Sequence, residues 1–243
     1  AIAKNQVNMI GSVWNKWDMH IHCPTSVFNN QFEGATEEEK WEKYLADLEK
    51  HDDVPVIGIT DYFSIDGYKK LQEFKAQGRI PNIKMIIPNV ELRVLPSTGK
   101  NKKSNLHILF SPEVVPQLDE YFFPELEFHY IDRPYKLTRN SLIELGRKCK
   151  DDPGIDERAA YRTGLEQFCI TPDNLKTLFN KRKDLRKEAI IGITNNSKDG
   201  VSGLQHEDNL KALREDLYHL TDFIFSSRPR DIEYFLGNGP DTK

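Results

Sequence analysis

No apolar run in this chain approaches the length needed to cross a bilayer, and the N-terminus lacks the charged-then-apolar pattern of a secretory signal. A cytoplasmic protein with no membrane association is therefore expected. Cysteine is scarce: Cys23, Cys149 and Cys169 are widely spaced and odd in number, which excludes a disulfide framework and a zinc knuckle. Excess basic charge is also missing. The 34 Lys and Arg against 38 Asp and Glu leave a net charge of −4, which excludes a chain-wide electrostatic grip on nucleic acid and leaves only local ones. There is no internal repeat, low-complexity segment, phosphate-cradling glycine loop or nucleophile elbow. Several large enzyme classes fall away with these absences.

What remains is an ordinary globular composition, 38% hydrophobic and 30% charged, in 243 residues, which suits one domain over 1–243. Its most informative stretch is Trp17-Asp18-Met19-His20-Ile21-His22-Cys23-Pro24. In an extended segment alternate residues share a face, so Asp18, His20 and His22 would project together as candidate groups around a divalent cation. Two neutral imidazoles are costly to bury without a shared partner, and a cation is the simplest one. The plain alternative is a half-exposed strand whose polar face carries histidines. Cys23 would point the other way.

Along the chain, Thr36 to Glu39 offers a capping box, and Trp41, Tyr44, Leu45 and Leu48 recur at helical spacing. Val54 to Thr60 reads as a buried parallel strand delivering Asp61, and Ser64 to Gly67 starts a helix that ends near Gly78. Lys84 to Val90 is a third strand delivering Glu91, and Asn105 to Phe110 a fourth, carrying His107. The spacing predicts helices over Thr138–Lys150 and from Thr171, a strand Ala189–Thr194 delivering Asn195, a helix Asp208–Leu220 and a strand Phe223–Phe225 leading to Arg228. Pro112 to Phe123 has room for a short helix, Asp151 to Arg158 reads as a charged loop, and the rest of the middle third is illegible. Polar residues thus gather at strand ends, where parallel α/β folds build sites. The basic runs Lys100–Lys103 and Lys181–Lys187 read as a solvated loop and helix end, with phosphate contact as the alternative. Of the other histidines, His51, His206 and His219 read as surface or packing residues, and His129 lies in the illegible stretch.

Asp18-Met19-His20-Ile21-His22, Gly58-Ile59-Thr60-Asp61-Tyr62, Pro88-Asn89-Val90-Glu91 and Leu106-His107-Ile108-Leu109 together resemble the successive motifs of the polymerase and histidinol phosphatase (PHP) domain. Thr60 to Tyr68 and Phe225-Ser226-Ser227-Arg228-Pro229 are similar to bacterial proteins in which such a domain precedes an AAA-like ATPase, some of them linked to anti-phage defence. The resemblance implies an α/β fold, a distorted (βα)7 barrel. It also implies two or three divalent metals, Mn2+ or Zn2+, that hydrolyse phosphoesters. Carried over, His20 and His22 bind one metal, Glu91 bridges two, His107 binds the second, and Asp61 lies next to or just behind them. Asp18 orients a histidine by hydrogen bond. Arg93 and Arg228 would follow strands at the active end, and their guanidinium forks suit phosphate oxygens.

The chain also departs from the pattern. Tyr62 replaces a histidine that many members give to the third metal, so two metals are expected. Asn195-Asn196 stand where others have a histidine, leaving Asn195 as a neutral oxygen ligand, and no late Asp-x-His pair precedes Lys243. A piece of a longer protein, with the barrel completed beyond Lys243, is the expectation. The functional expectation is a metal-dependent nuclease on RNA or DNA, working with an ATPase module in the same polypeptide or complex. The alternatives are a phosphatase or nucleotide hydrolase acting on small molecules, and a degenerate, non-catalytic PHP module that regulates an ATPase.

Overall fold

The computed structural model describes residues 14–29, 31–95, 104–131, 133–195, 201, 211–226 and 228–238, without the side chains of Arg230 and Tyr234. The basic run Lys100–Lys103, Asn196 and His206 lie outside these residues. The fold starts with strand β1 (Trp17–Ile21) and helix α1 (Glu37–Leu48). Thr36 caps α1 by accepting from Glu39 N at 3.2 Å, and the Glu39 carboxylate reaches back to Ala35 N at 2.8 Å. Trp41, Tyr44, Leu45 and Leu48 form its buried stripe, as the spacing predicts.

Strand β2 (Val56–Tyr62), helix α2 (Asp66–Ala76), strand β3 (Met85–Val94) and strand β4 (Ser104–Phe110) follow. The middle third holds α3 (Val115–Tyr121), the hairpin β5 (Glu127–Tyr130) and β6 (Arg133–Lys136), then α4 (Arg139–Lys150) and α5 (Glu157–Gln167). After α6 (Pro172–Lys181) and α7 (Lys183–Lys187) come β7 (Ala189–Thr194), α8 (Lys211–Leu220), β8 (Phe223–Phe225) and α9 (Arg230–Phe235). Helix α5 begins where the sequence reads as loop. Its buried side is Ala160, Thr163, Gly164 and Leu165, so small residues left little apolar periodicity to read. No described helix is long and apolar enough to cross a membrane.

The main sheet runs β1-β2-β3-β4-β7-β8, and β5 and β6 form a separate pair. Neighbours are parallel except around β4, which is antiparallel to both β3 and β7. The sheet curls far enough to bring the rings of His20 on β1 and Phe225 on β8, its two edge strands, to 5.8 Å from each other. Among the described residues the main sheet thus has six strands of mixed sense. The reversal moves His107 from the expected strand end to the middle of β4, directly opposite Glu91.

Helices α4 and α5 cross at glycines. A Cβ on Gly146 would lie 1.8 Å from Ala160 O, and one on Gly164 would lie 1.9 Å from Leu142 O. Main chain cannot yield as a flexible side chain can. Gly146→Val is expected to destabilise the protein by about 3 kcal/mol, the upper end of over-packing penalties, seen as a lower urea midpoint. An unchanged midpoint would contradict this contact.

Candidate metal centre

On β2, Ile57 and Ile59 are buried in the apolar core, while Thr60 and Tyr62 of the alternate row reach polar and histidine partners on the inner face. On β3, Asn89, Glu91 and Arg93 share one face by the two-residue period, and on β4 Asn105 and His107 do. Register then places Tyr62 beside Glu91 and Glu91 beside His107. Thr60, Asn89, Glu91, Asn105 and His107 are all buried. Such a polar row inside a sheet is tolerated only when its groups find partners.

β1 brings His20 and His22 to this row through a bulge. Asp18 aligns with Ile57 but Ile21 with Ile59, so β1 carries one extra residue there. That residue breaks the alternation and sends His20 and His22 to the face opposite Asp18. The backbone of Met19 presses onto Gly58, where a Cβ would lie 2.4 Å from Met19 O. Only glycine fits beneath the bulge.

The result is three imidazoles around one carboxylate. The His20 ring lies 4.6 Å from that of His107 and 5.2 Å from that of His22, and ligand atoms of His20, His22 and Glu91 lie within 4.8 Å of one another. His22 Nδ1 is 3.1 Å from Thr60 O, which can only accept, so Nδ1 carries the proton and Nε2 presents a lone pair. That Nε2 faces Glu91 Oε2 at 3.8 Å, and His107 Nε2 faces Glu91 Oε1 at 4.0 Å. Asn105 donates to Glu91 Oε1 at 2.5 Å. His107 Nε2 is buried and has no hydrogen-bond partner among the described residues. These gaps are too long for hydrogen bonds and suit a cation bound on both sides at about 2.0–2.2 Å. The donor set of imidazole nitrogen and carboxylate oxygen fits Zn2+ or Mn2+, so the residues present fit the group.

Burial holds both inner histidines neutral. It lowers the His22 pKa to about 4, with a further contribution from His20, and pushes that of His107 well below the ordinary value, with His20 and then His22 adding to the effect. In the metal-free protein this costs stability in acid. For His22 the unfolded chain takes up the proton near pH 6.5 and the native state only near pH 4, so stability falls as pH drops through that window, and the lowered His107 pKa acts in the same direction. His22 alone accounts for about 2 kcal/mol between pH 7 and pH 5. Urea midpoints at the two pH values should show the loss, and His22→Ala should shrink it.

The remaining expected site residues have other partners. The Asp61 carboxylate points away from Glu91: Oδ2 accepts from Gly67 N at 2.7 Å at the start of α2, and Oδ1 accepts from Cys23 Sγ at 3.7 Å. Burial raises its pKa to about 7 against the pull of these donors. It caps a helix, because β2 alternation sends residue 61 to the face opposite Thr60 and Tyr62. Asp18 Oδ1 accepts from the His20 backbone N at 3.2 Å, not from an imidazole. Asn195 is buried at the ends of β7 and β8, where Nδ2 donates to Asp231 at 2.8 Å and its carbonyl accepts from Ser226. The bond to Asp231 ties the amide nitrogen to α9, and the buried Oδ1 has no hydrogen-bond partner among the described residues. Arg93 is at the mouth, with its guanidinium 4.3 Å from the Phe28 ring and 5.6 Å from Tyr62, and it donates to Leu165 O and Glu166 O at the end of α5. Arg228 follows β8 and its backbone N donates to Ser226 at 3.1 Å. Tyr62 stacks on His22 at 5.4 Å.

Sequence reading missed Asn89, Asn105 and Asp231. The first two were findable, since each precedes a site residue by two on a strand. Asp231 left no such signal. His129 is exposed opposite Pro134, away from the centre. Lys181, Arg182 and Arg186 pair with Glu125, Asp184 and Asp222.

No family model matches the chain, and no curated protein does. Solved structures similar to the chain include the following two. One, described as a metal-dependent phosphoesterase from Bifidobacterium adolescentis, is 10% identical with a TM-score of 0.46, over 94% of this chain and 84% of that one. The other, an amidohydrolase from Chromobacterium violaceum with bound sulfate and no metal, is 15% identical with a TM-score of 0.47, over 91% and 81%. Both likenesses are too remote to assign an activity, which leaves the geometry of the centre.

Proposed function

We propose that this chain is a metal-dependent phosphoesterase. The observation that carries the reading is the buried Glu91 carboxylate faced at 3.8 and 4.0 Å by two imidazole nitrogens, one oxygen to each. His20, His22 and Glu91 would hold one divalent cation, and Glu91 with His107 a second. With Asp61 capping α2 and Tyr62 carrying no ligand nitrogen, two ions fit better than three. Bound cations supply Lewis-acid charge and lower the pKa of water enough to make a nucleophile at neutral pH. The chain orients and neutralises: Arg93 offers a fork for the non-bridging oxygens, and the α5 carbonyls keep it at the mouth.

Within that class we favour a nuclease. Phe28 lies between Arg93 and Arg162, whose guanidinium is 5.8 Å from its ring, and Tyr62 meets Phe28 at 5.0 Å. Rings and guanidinium planes at a site mouth suit stacked bases and a phosphate backbone. An ATPase partner and an anti-phage setting remain proposals supported by the sequence resemblance alone. The test is Mn2+-dependent cleavage of labelled RNA and single-stranded DNA, beside a small aryl phosphate. Cleavage lost in His20→Ala is expected. Full activity of His20→Ala in chelator would overturn the reading, and hydrolysis of the aryl phosphate alone would move it to a phosphatase.

A further inference from the structure

One side chain joins all four strands that carry the centre. Asn89 on β3 donates through Nδ2 to Met19 O on β1 at 2.8 Å and to Thr60 Oγ1 on β2 at 2.9 Å. Its Oδ1 lies 3.2 Å from His107 Nδ1 on β4. Met19 O can only accept, which fixes the orientation of the amide, so Oδ1 must be the atom facing His107. An amide oxygen accepts. The proton of neutral His107 therefore sits on Nδ1, and the lone pair on Nε2, the buried atom facing Glu91 Oε1 at 4.0 Å.

We infer that Asn89 is a positioning residue with two duties: it selects the metal-ready tautomer of His107 and pins the bulged β1 backbone between His20 and Gly58. The second duty follows from Met19 O, the same atom that closes on Gly58. The inference rests on the metal reading for its purpose but not for its test. In the other tautomer Nε2–H would point at the carboxylate side, and a cation would have to displace a proton before binding. Partners of this kind behind a metal-binding histidine are worth about 10–100-fold in metal affinity.

The experiment is 15N–1H correlation NMR of the imidazoles in metal-free protein, with Mn2+ and Zn2+ affinity measured separately. Wild type should show His107 protonated on Nδ1, and a proton on Nε2 overturns the inference. Asn89→Ala should lose that preference and bind Zn2+ about 10–100-fold more weakly. Retention of both within twofold also overturns it. Asn89→Asp still accepts from Nδ1 but cannot donate to Met19 O, so it should keep the tautomer while loosening β1. If Asn89→Ala does not fold, the wild-type and Asn89→Asp spectra decide. A wild type with the Nδ1–H tautomer that binds no metal would uphold the inference and remove the phosphoesterase reading instead.

Discussion

Glu91→Gln is expected to abolish metal binding and to leave the metal-free fold at least as stable as wild type. The glutamine keeps its oxygen to accept from Asn105 and gains an N–H on the other side, facing the bare Nε2 of His22. It also removes a buried charge, a change that is often neutral or stabilising when the replacement fits. The thermal signature separates the two proteins. At a Zn2+ concentration 100 times Kd, binding adds about 2.7 kcal/mol to wild type, or about 5–10 °C in Tm for a chain of this size. Glu91→Gln should show no shift. A shift of several degrees in the variant, or none in wild type, would contradict the assignment of Glu91 as the shared ligand.

Gly58→Val is expected to be the most damaging substitution on the inner face. Its Cβ would sit 2.4 Å from Met19 O and 2.8 Å from Met19 C and Cα, all backbone atoms of the bulge. Relief requires β1 to lift from β2, which breaks the bond from Asn89 to Met19 O and carries His20 and His22 away from Glu91. Expected are a loss of more than about 3 kcal/mol in stability and loss of metal uptake together, read by urea unfolding and by elemental analysis. Gly78 offers a control, since a Cβ there meets nothing within 4 Å although its φ of +88 favours glycine. Gly78→Asn, a residue that tolerates this backbone, should cost little and spare the metal. A folded, metal-loaded Gly58→Val protein would show that the bulge does not set the histidines.

Much of this was readable in advance, for reasons that can be named. Buried strands rich in β-branched residues that carry Asp61, Glu91 and His107 are strong patterns, and so is the helical stripe Trp41–Leu48. What escaped was information about the other strand in each pair. The alternation of β2 already assigns Asp61 and Thr60 to opposite faces, yet only the structure shows which face holds the histidines. The bulge at Met19 could not be seen in β1 alone, because it is a mismatch between two strands, and it separates Asp18 from the comb it seemed to join. The β3–β4 hairpin escaped because a short apolar run does not announce its direction. The β5–β6 pair is half exposed, with Tyr135 its one deeply buried residue, and so carried almost no pattern.

The reversal of β4 also divides the centre by the length of chain that must be closed to build each half. His107 and Asn89 are 18 residues apart, joined by a hairpin, whereas Asn89 and Met19 are 70 apart. Loop-closure entropy makes the first contact cheaper to form than the second, and parallel pairing of distant strands is slow. Glu91 and His107 can therefore be assembled early, by local pairing, while His20 and His22 arrive with the docking of β1. An ion caught by the early half would then act as a template for the late one, making metal a determinant of how fast the chain folds.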